Sequence, residues 1–179
     1  MTEGHESLSE KWRRFRERPL EERALILRAM VLLPLTGIGL RVFGFRRWKQ
    51  LIERFSVRTR ALKVAEPAIQ LEKAGRTVRA VRSAELHGPA KPNCLKRSMV
   101  LWWMLRRDGI GGELHIGARK NGLHFEAHAW VELDGKVLND SPDVHTHYAR
   151  FDAPLATGEA DLHPAGKADL QSAGKADLE

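Results

Sequence analysis

The sequence predicts an α+β protein, in which a helical N-terminal region precedes a helix that packs on an antiparallel sheet. Apolar residues recur at helical spacing through residues 1–90. A further helical pattern starts near Cys94, and alternating apolar residues then extend from Leu114 to Leu138. Helices followed by a meander of strands are typical of this fold class.

The N-terminal region divides into three helical segments. Pro19 suits a first helical turn, and the apolar pattern that follows is expected to be interrupted at Pro34, since proline cannot donate the helical hydrogen bond. A second segment covers residues 46–55. The third begins near Pro67 and is expected to end before residues 87–89, a His-Gly-Pro sequence.

The segment after residue 90 has clear start and stop signals. Asn93 is a good N-cap for the helix that begins at Cys94, and Asp108-Gly109 ends that helix. Two alternating strands follow, and an Asp134-Gly135 turn leads to a last strand through residues 137–138.

Three parts are therefore expected: a helical region at 1–90, a catalytic core at 91–152 and a low-complexity tail at 153–179. The tail repeats a Gly-x-Ala-Asp-Leu unit every eight residues. Each unit offers one leucine and no larger apolar group, so the tail should be disordered.

The composition sets limits on compartment and partners. A single cysteine cannot form an internal disulfide, and residues 1–10 do not resemble a signal peptide, so we expect a cytoplasmic protein. The most apolar stretch, 29–40, is too short to span a bilayer, although its basic flanks leave an interfacial role open. We expect no transmembrane segment.

The net charge of +7 is concentrated in three basic clusters at residues 13–18, 41–49 and 76–82. Such clusters suit nucleic acid, an anionic membrane surface or an acidic peptide, and are ordinarily solvated helix faces. No nucleic-acid-binding motif accompanies them, so a basic nucleic-acid-binding protein is a minor alternative and nucleic acid is not an expected partner.

Cys94 is a candidate nucleophile. A reactive cysteine acts as a thiolate, and the first turn of a helix favours negative charge and offers free amides for an oxyanion. Lys96 and Arg97 add positive charge nearby. By position alone, a small buried core cysteine is equally compatible.

His128 favours the catalytic interpretation. It lies on the face of a strand that also has Glu126, Trp130 and Glu132, where a base could reach the thiol. If residues 133–135 form a three-residue loop, Glu132 pairs with Lys136, and His128 lies opposite Asp140, about 5 Å away. A two-residue loop would instead turn Asp140 to the other face. We prefer the three-residue loop, which makes Asp140 the group that orients the imidazole.

A zinc site formed by Cys94, His124 and His128 is a weaker alternative, because paired cysteines or a His-Glu-x-x-His helix are lacking. His145 and His147 are expected on a surface loop. We therefore predict no metal and no cofactor.

Three sequence blocks resemble the lasso-peptide biosynthesis B proteins, which are leader peptidases with a transglutaminase-like core. The blocks are Asn-Cys-Leu-Lys-Arg-Ser at 93–98 with the helix after it, Leu-His-Ile-Gly-Ala-Arg-Lys at 114–120, and Glu-Ala-His-Ala-Trp-Val-Glu at 126–132. The resemblance covers roughly residues 19–140. It implies a transglutaminase-like, papain-like core with Cys94 as nucleophile, His128 as base and Asp140 as the carboxylate.

The resemblance also implies a substrate and partners. The substrate would be a ribosomally made precursor, cleaved between its leader and its core. No strand-rich leader-binding module precedes residue 91, so the chain resembles a stand-alone peptidase that needs a separate leader-binding protein. An ATP-dependent lasso cyclase would then close the ring. The nearest alternative is an acyl or amide transferase of the same fold, in which an amine rather than water resolves the thioester.

Overall fold

The computed structural model describes residues 13, 15–56, 66–121 and 124–151. The elements in this part of the chain are α1 (Leu20–Ser56), α2 (Pro67–His87), α3 (Cys94–Arg107), β1 (Glu113–Asn121), β2 (His124–Leu133), β3 (Lys136–Val137), α4 (Val144–His147) and β4 (Ala149–Arg150). The predicted disordered tail at 153–179 lies outside the described residues.

Helix α1 changes direction at Gly44 and not at Pro34, where the sequence predicted an interruption. Pro34 lies inside the helix, whereas Gly44 adopts φ 73° and ψ 171°. Glycine reaches positive φ without a steric penalty because it has no Cβ. The change of direction brings the Trp48 ring onto Gly39, where an added Cβ would lie 2.4 Å from the ring. The prediction at Pro34 was therefore wrong.

The predicted boundaries of α2 and α3 are confirmed. Pro67 occupies the first turn of α2, which ends at His87. The Asn93 side chain caps α3 by accepting a hydrogen bond of 3.1 Å from the Lys96 amide. Gly109, with φ 75°, terminates the helix.

The described strands form one antiparallel sheet in the order β3-β2-β1-β4. Trp130 and Glu132, which share a face of β2 with His128, are buried. The chain after β3 returns over this face, where Val144 and Tyr148 pack with Trp130 in a second small core. Non-local packing therefore covers this face of the sheet.

The β2–β3 hairpin has the two-residue loop. Asp134 and Gly135 have φ of 49° and 75°, and Leu133 pairs with Lys136 while Glu132 pairs with Val137. Two consecutive positive φ angles give the turn whose twist matches that of antiparallel strands. The preferred three-residue loop, with Glu132 opposite Lys136, was wrong.

One hydrophobic core joins the helices to the sheet, with α3 at its centre. Met99, Val100, Leu101, Met104 and Leu105 of α3 are fully buried. They pack against residues of α1, α2 and β2, namely Ala29, Leu33, Trp48, Ile52, Ala74, Val81, Val131 and Leu133. The helical region at 1–90 and the predicted catalytic core at 91–152 therefore share one core.

By length and composition alone, Leu20–Phe55 is apolar enough to cross a membrane, with a mean hydropathy of 1.8 over 18 residues. The apolar stretch 29–40, which is bounded by Arg28 and Arg41, was expected to be too short to span a bilayer, but the helix extends beyond it on both sides. One side of this helix, including Ile26, Leu33 and Thr36, is buried in the protein core, as it is in the core helix of a globular domain.

Candidate active site

His128 and Asp140 lie in direct contact at the edge of the sheet. The His128 Nε2 atom is 2.7 Å from Asp140 Oδ2, and the two side chains are only 18% and 20% exposed. With the carboxylate accepting from Nε2–H, the neutral ring keeps its lone pair on Nδ1. The free Nδ1 is the atom that can take a proton from a neighbouring group.

This contact forms although the hairpin register differs from the predicted one. The Leu138 amide still donates to the Val131 carbonyl at 2.9 Å, but the Val131 amide donates to Oδ1 of Asn139 at 2.8 Å. A side-chain carbonyl thus replaces a backbone carbonyl, and the ladder stops there. Because the chain leaves the sheet at this point, Asp140 is free to turn back towards His128.

Cys94 begins α3 and is partly exposed, so it is neither a fully buried core residue nor part of a disulfide. Asn93 caps the Lys96 amide, which leaves the amides of Cys94 and Leu95 at the helix start without an intrahelical partner. Such amides are suitable donors for an oxyanion that forms next to the sulfur.

Ser98 and Asn139 join α3 to the strand of His128. Ser98, fully buried and one helical turn after Cys94, donates a 2.8 Å hydrogen bond to the Ala129 carbonyl and accepts one of 2.8 Å from Asn139 Nδ2. Residues four apart share a helix face, so Cys94 lies on the same face of α3 as Ser98. Neither Ser98 nor Asn139 was among the predicted site residues, although a serine amid apolar helix positions was a usable signal.

This network gives a testable expectation for stability. Replacing Ser98 by alanine leaves the Ala129 carbonyl and the Asn139 amide without their buried partner, which should lower the free energy of unfolding by about 1–3 kcal/mol. Chemical denaturation measures the difference. Ser83→Ala on α2 is the matched control, and equal stability of the two variants would contradict a role for Ser98 in joining helix and strand.

The positive charge expected beside Cys94 is smaller than the sequence suggested. Arg97 pairs with Glu85 at 3.3 Å. The Lys96 side chain extends along α1, within 3.6 Å of a Cβ placed on Gly37. The pairing with Glu85 offsets the charge of Arg97, whereas the start of α3 is itself a source of positive potential at the sulfur.

Aromatic rings hold the imidazole of His128. The Tyr148 ring stacks on it with centroids 4.8 Å apart, and the Trp130 ring lies 6.3 Å away. The position opposite His128 on β1 is Gly117, where a Cβ would lie 3.0 Å from the Trp130 ring. Tyr148 was not among the predicted site residues, because no local pattern shows that α4 folds back over the sheet.

Tyr148 is itself fixed by two charged groups. Its hydroxyl donates to Glu126 at 3.2 Å, and the Arg119 guanidinium lies 4.8 Å from its ring centre. The hydrogen bond from Arg119 lowers the pKa of Glu126, so the carboxylate is an acceptor at neutral pH. Burial, followed by the bond to Glu126, raises the pKa of Tyr148, so its hydroxyl keeps its proton and the donating role.

Glu132 fixes Trp130 in the same way. Trp130 Nε1 donates to Glu132 at 2.7 Å, and Arg150 pairs with the same carboxylate. Burial alone raises the pKa of Glu132, but the Trp130 hydrogen bond and the charges of His115 and Arg150 outweigh it, so the pKa is lowered. The ionised Glu132 carboxylate therefore stabilises the folded protein at neutral pH. This stabilisation is lost as the pH falls through the lowered pKa of Glu132.

No group of three metal-ligating side chains occurs within residues 15–56, 66–121 and 124–151. The zinc alternative with Cys94, His124 and His128 therefore has no structural support. His145 and His147, expected on a surface loop, lie on the one-turn helix α4, where His147 contacts Asp143 at 3.3 Å.

Comparison with known proteins agrees with this architecture. The sequence pattern of the Transglutaminase-like superfamily matches residues 39–151. Over 54 residues the chain is 39% identical to the microcin J25-processing protein McjB of Escherichia coli, a match that spans 30% of this chain and 25% of that relative. No solved structure matches the chain. The predicted α+β fold is confirmed, the resemblance to lasso-peptide B proteins is supported, and the chain belongs to the transglutaminase-like superfamily.

Proposed function

We propose that this protein is a cysteine peptidase that removes the leader from a lasso-peptide precursor, with Cys94 as nucleophile, His128 as base and Asp140 as the group that orients His128. The observation that supports this most directly is the His128–Asp140 hydrogen bond of 2.7 Å. It orients a base on β2, the strand to which the helix of Cys94 is bonded through Ser98. The similarity to a microcin-processing protein supports the choice of substrate.

In the proposed reaction, Nδ1 of His128 takes the thiol proton and the sulfur attacks the carbonyl carbon of the scissile amide. The oxyanion is stabilised by amides at the start of α3. The tetrahedral intermediate then collapses to a thioester with the leader, while the protonated imidazole gives its proton to the departing amine of the core. Water, deprotonated by His128, hydrolyses the thioester and regenerates the thiol.

Asp140 and Tyr148 act on the imidazole and not on the substrate. The carboxylate fixes the tautomer with the lone pair on Nδ1 and stabilises the imidazolium that forms. The stacked Tyr148 ring restricts the imidazole plane and presents its π face to the positive ring. The proposed partners are a separate leader-binding protein and an ATP-dependent cyclase, and the proposed compartment is the cytoplasm.

The test is mass spectrometry of the precursor after incubation with this protein and the leader-binding protein. Hydrolysis yields two fragments whose masses add up to the precursor plus one water molecule. In ¹⁸O-labelled water, the heavy oxygen should appear in the new carboxylate of the leader. An intact precursor under these conditions would contradict the proposal.

An acyl transferase is the second candidate, because transglutaminase-like enzymes form the same thioester. The same experiment separates the two functions. Transfer requires an added amine, joins the leader to it and incorporates no labelled oxygen. Hydrolysis proceeds without the amine and incorporates one labelled oxygen into the leader.

A further inference from the structure

An exposed apolar stripe lies along α1, on the side away from the core. It consists of Leu27, Val31, Leu35, Ile38 and Val42, whose spacing of three and four residues places them on one helix face. Each is between 42% and 65% exposed. The solvent-facing side of a helix ordinarily has charged or polar side chains. This stripe is instead an exposed hydrophobic patch.

Between Arg28 and Arg41, no exposed polar side chain lies along the stripe. Residues 29–40 include one polar residue, Thr36, and it is fully buried. Leu35 also lines an open groove of about 470 Å³, whose other walls are Trp48, Leu51, Ile52, Phe55, Trp103 and Arg107. The apolar surface is therefore continuous from the stripe into the groove.

The charge around the stripe has one sign. Between Glu22 and Glu53 there is no acidic residue, but there are six basic ones: Arg23, Arg28, Arg41, Arg46, Arg47 and Lys49. Arg28 faces Asp108 and Lys49 faces Glu53. Arg41, Arg46 and Arg47 are exposed and have no ion-pair partner among the residues that the structure describes. Three guanidinium groups with no ion-pair partner in the described part of the chain thus lie at or just after the C-terminal end of the stripe.

We propose that this face of α1 docks on an anionic lipid surface. The apolar stripe would lie in the boundary between headgroups and acyl chains, parallel to the bilayer, and the arginines would contact lipid phosphates. An apolar face together with adjacent basic groups meets the requirement for two membrane signals. The opposite side of the same helix stays in the protein core, so docking requires no unfolding.

A second copy of the chain fits this face less well. The carboxylates at the other end of α1, Glu21 and Glu22, already face Arg76 and Arg18 within the same chain. If a second copy docked along the stripe, the carboxylates of its α1 would already be paired within that copy. They would not be available to Arg41, Arg46 and Arg47 of the first copy. The proposal does not depend on the reaction proposed above, because the stripe contains none of its catalytic groups.

Flotation of the full-length protein with vesicles tests the proposal. One set of vesicles is an equimolar mixture of phosphatidylglycerol and phosphatidylcholine, and the other is phosphatidylcholine alone. Wild-type protein should float with the anionic vesicles. The fraction that floats with the neutral vesicles should be lower by about tenfold or more. Val31→Glu/Ile38→Glu should reduce binding to anionic vesicles about tenfold or more, and Arg41→Gln/Arg47→Gln should also weaken it.

Leu86→Glu is the matched control, since Leu86 is a 69% exposed leucine on α2 outside the stripe, and it should bind like the wild type. Val31→Ser/Ile38→Ser replaces the glutamate variant if that variant does not fold. Absence of wild-type flotation, or unchanged flotation of the stripe variants, would overturn the proposal. A wild-type dimer that becomes monomeric in the stripe variants, without vesicle binding, would show that a second copy occupies this face instead.

Discussion

Replacing Cys94 by alanine should abolish cleavage of the precursor, with kcat/KM falling by about a thousandfold or more. The thiol is the only group in the proposed mechanism that forms a covalent bond to the substrate, and removal of a nucleophile leaves only binding and oxyanion stabilisation. Cys94 is partly exposed at the first position of α3, and alanine is well tolerated there. The variant should therefore fold and still bind the leader. The rate is measured by timed mass spectrometry of the products.

The single cysteine allows a second approach to the same question. Cys94 is the only thiol of the chain, so limited treatment with iodoacetamide at neutral pH modifies it in preference to other groups and requires no protein engineering. We expect one carboxamidomethyl group per chain and complete loss of cleavage. Normal processing by the alanine variant, or by fully alkylated protein, would show that another group performs the reaction.

The fold was largely predictable because its signals are local. Asn93 is one residue before the first turn of α3, and the Asp134-Gly135 turn lies between two alternating segments. Physical rules of capping and turn geometry act over a few residues and can be applied to a sequence directly. The prediction of a helix break at Pro34 was wrong because it used only a local rule about proline. In the structure, the tertiary packing of α1 outweighs that rule.

The candidate site was predictable in its members but not in its geometry. Asp140 was predicted from the register that a three-residue loop would give. In the structure the loop has two residues, and the contact with His128 follows the end of the ladder at Asn139. Tyr148 and Ser98 depend on contacts between distant segments. Such contacts follow from the packing of α3 and α4 on the sheet, which no spacing along the chain specifies.

Replacing Asp140 by asparagine should lower kcat/KM by about a hundredfold to ten-thousandfold, with a smaller effect on KM. The asparagine amide would donate to Nε2 of His128 and place the ring proton on Nδ1, where the thiol needs an acceptor. The variant keeps the Oδ1 acceptor that bonds the Ser141 amide at 2.9 Å, so the local chain should remain folded. The loss would therefore arise from the wrong tautomer and from the missing negative charge beside the imidazolium.

The pH profile of Cys94 alkylation distinguishes this role from a merely structural one. Without the carboxylate, the thiolate–imidazolium pair is less stable, so the alkylation rate should rise only at higher pH than in the wild type. Asp134→Asn is the matched control, because it makes the same substitution in a turn that favours asparagine and does not contact His128. If Asp140→Asn lost stability but kept the wild-type pH profile, Asp140 would support the fold and not the base, and the thiol would have to be activated by the start of α3 alone.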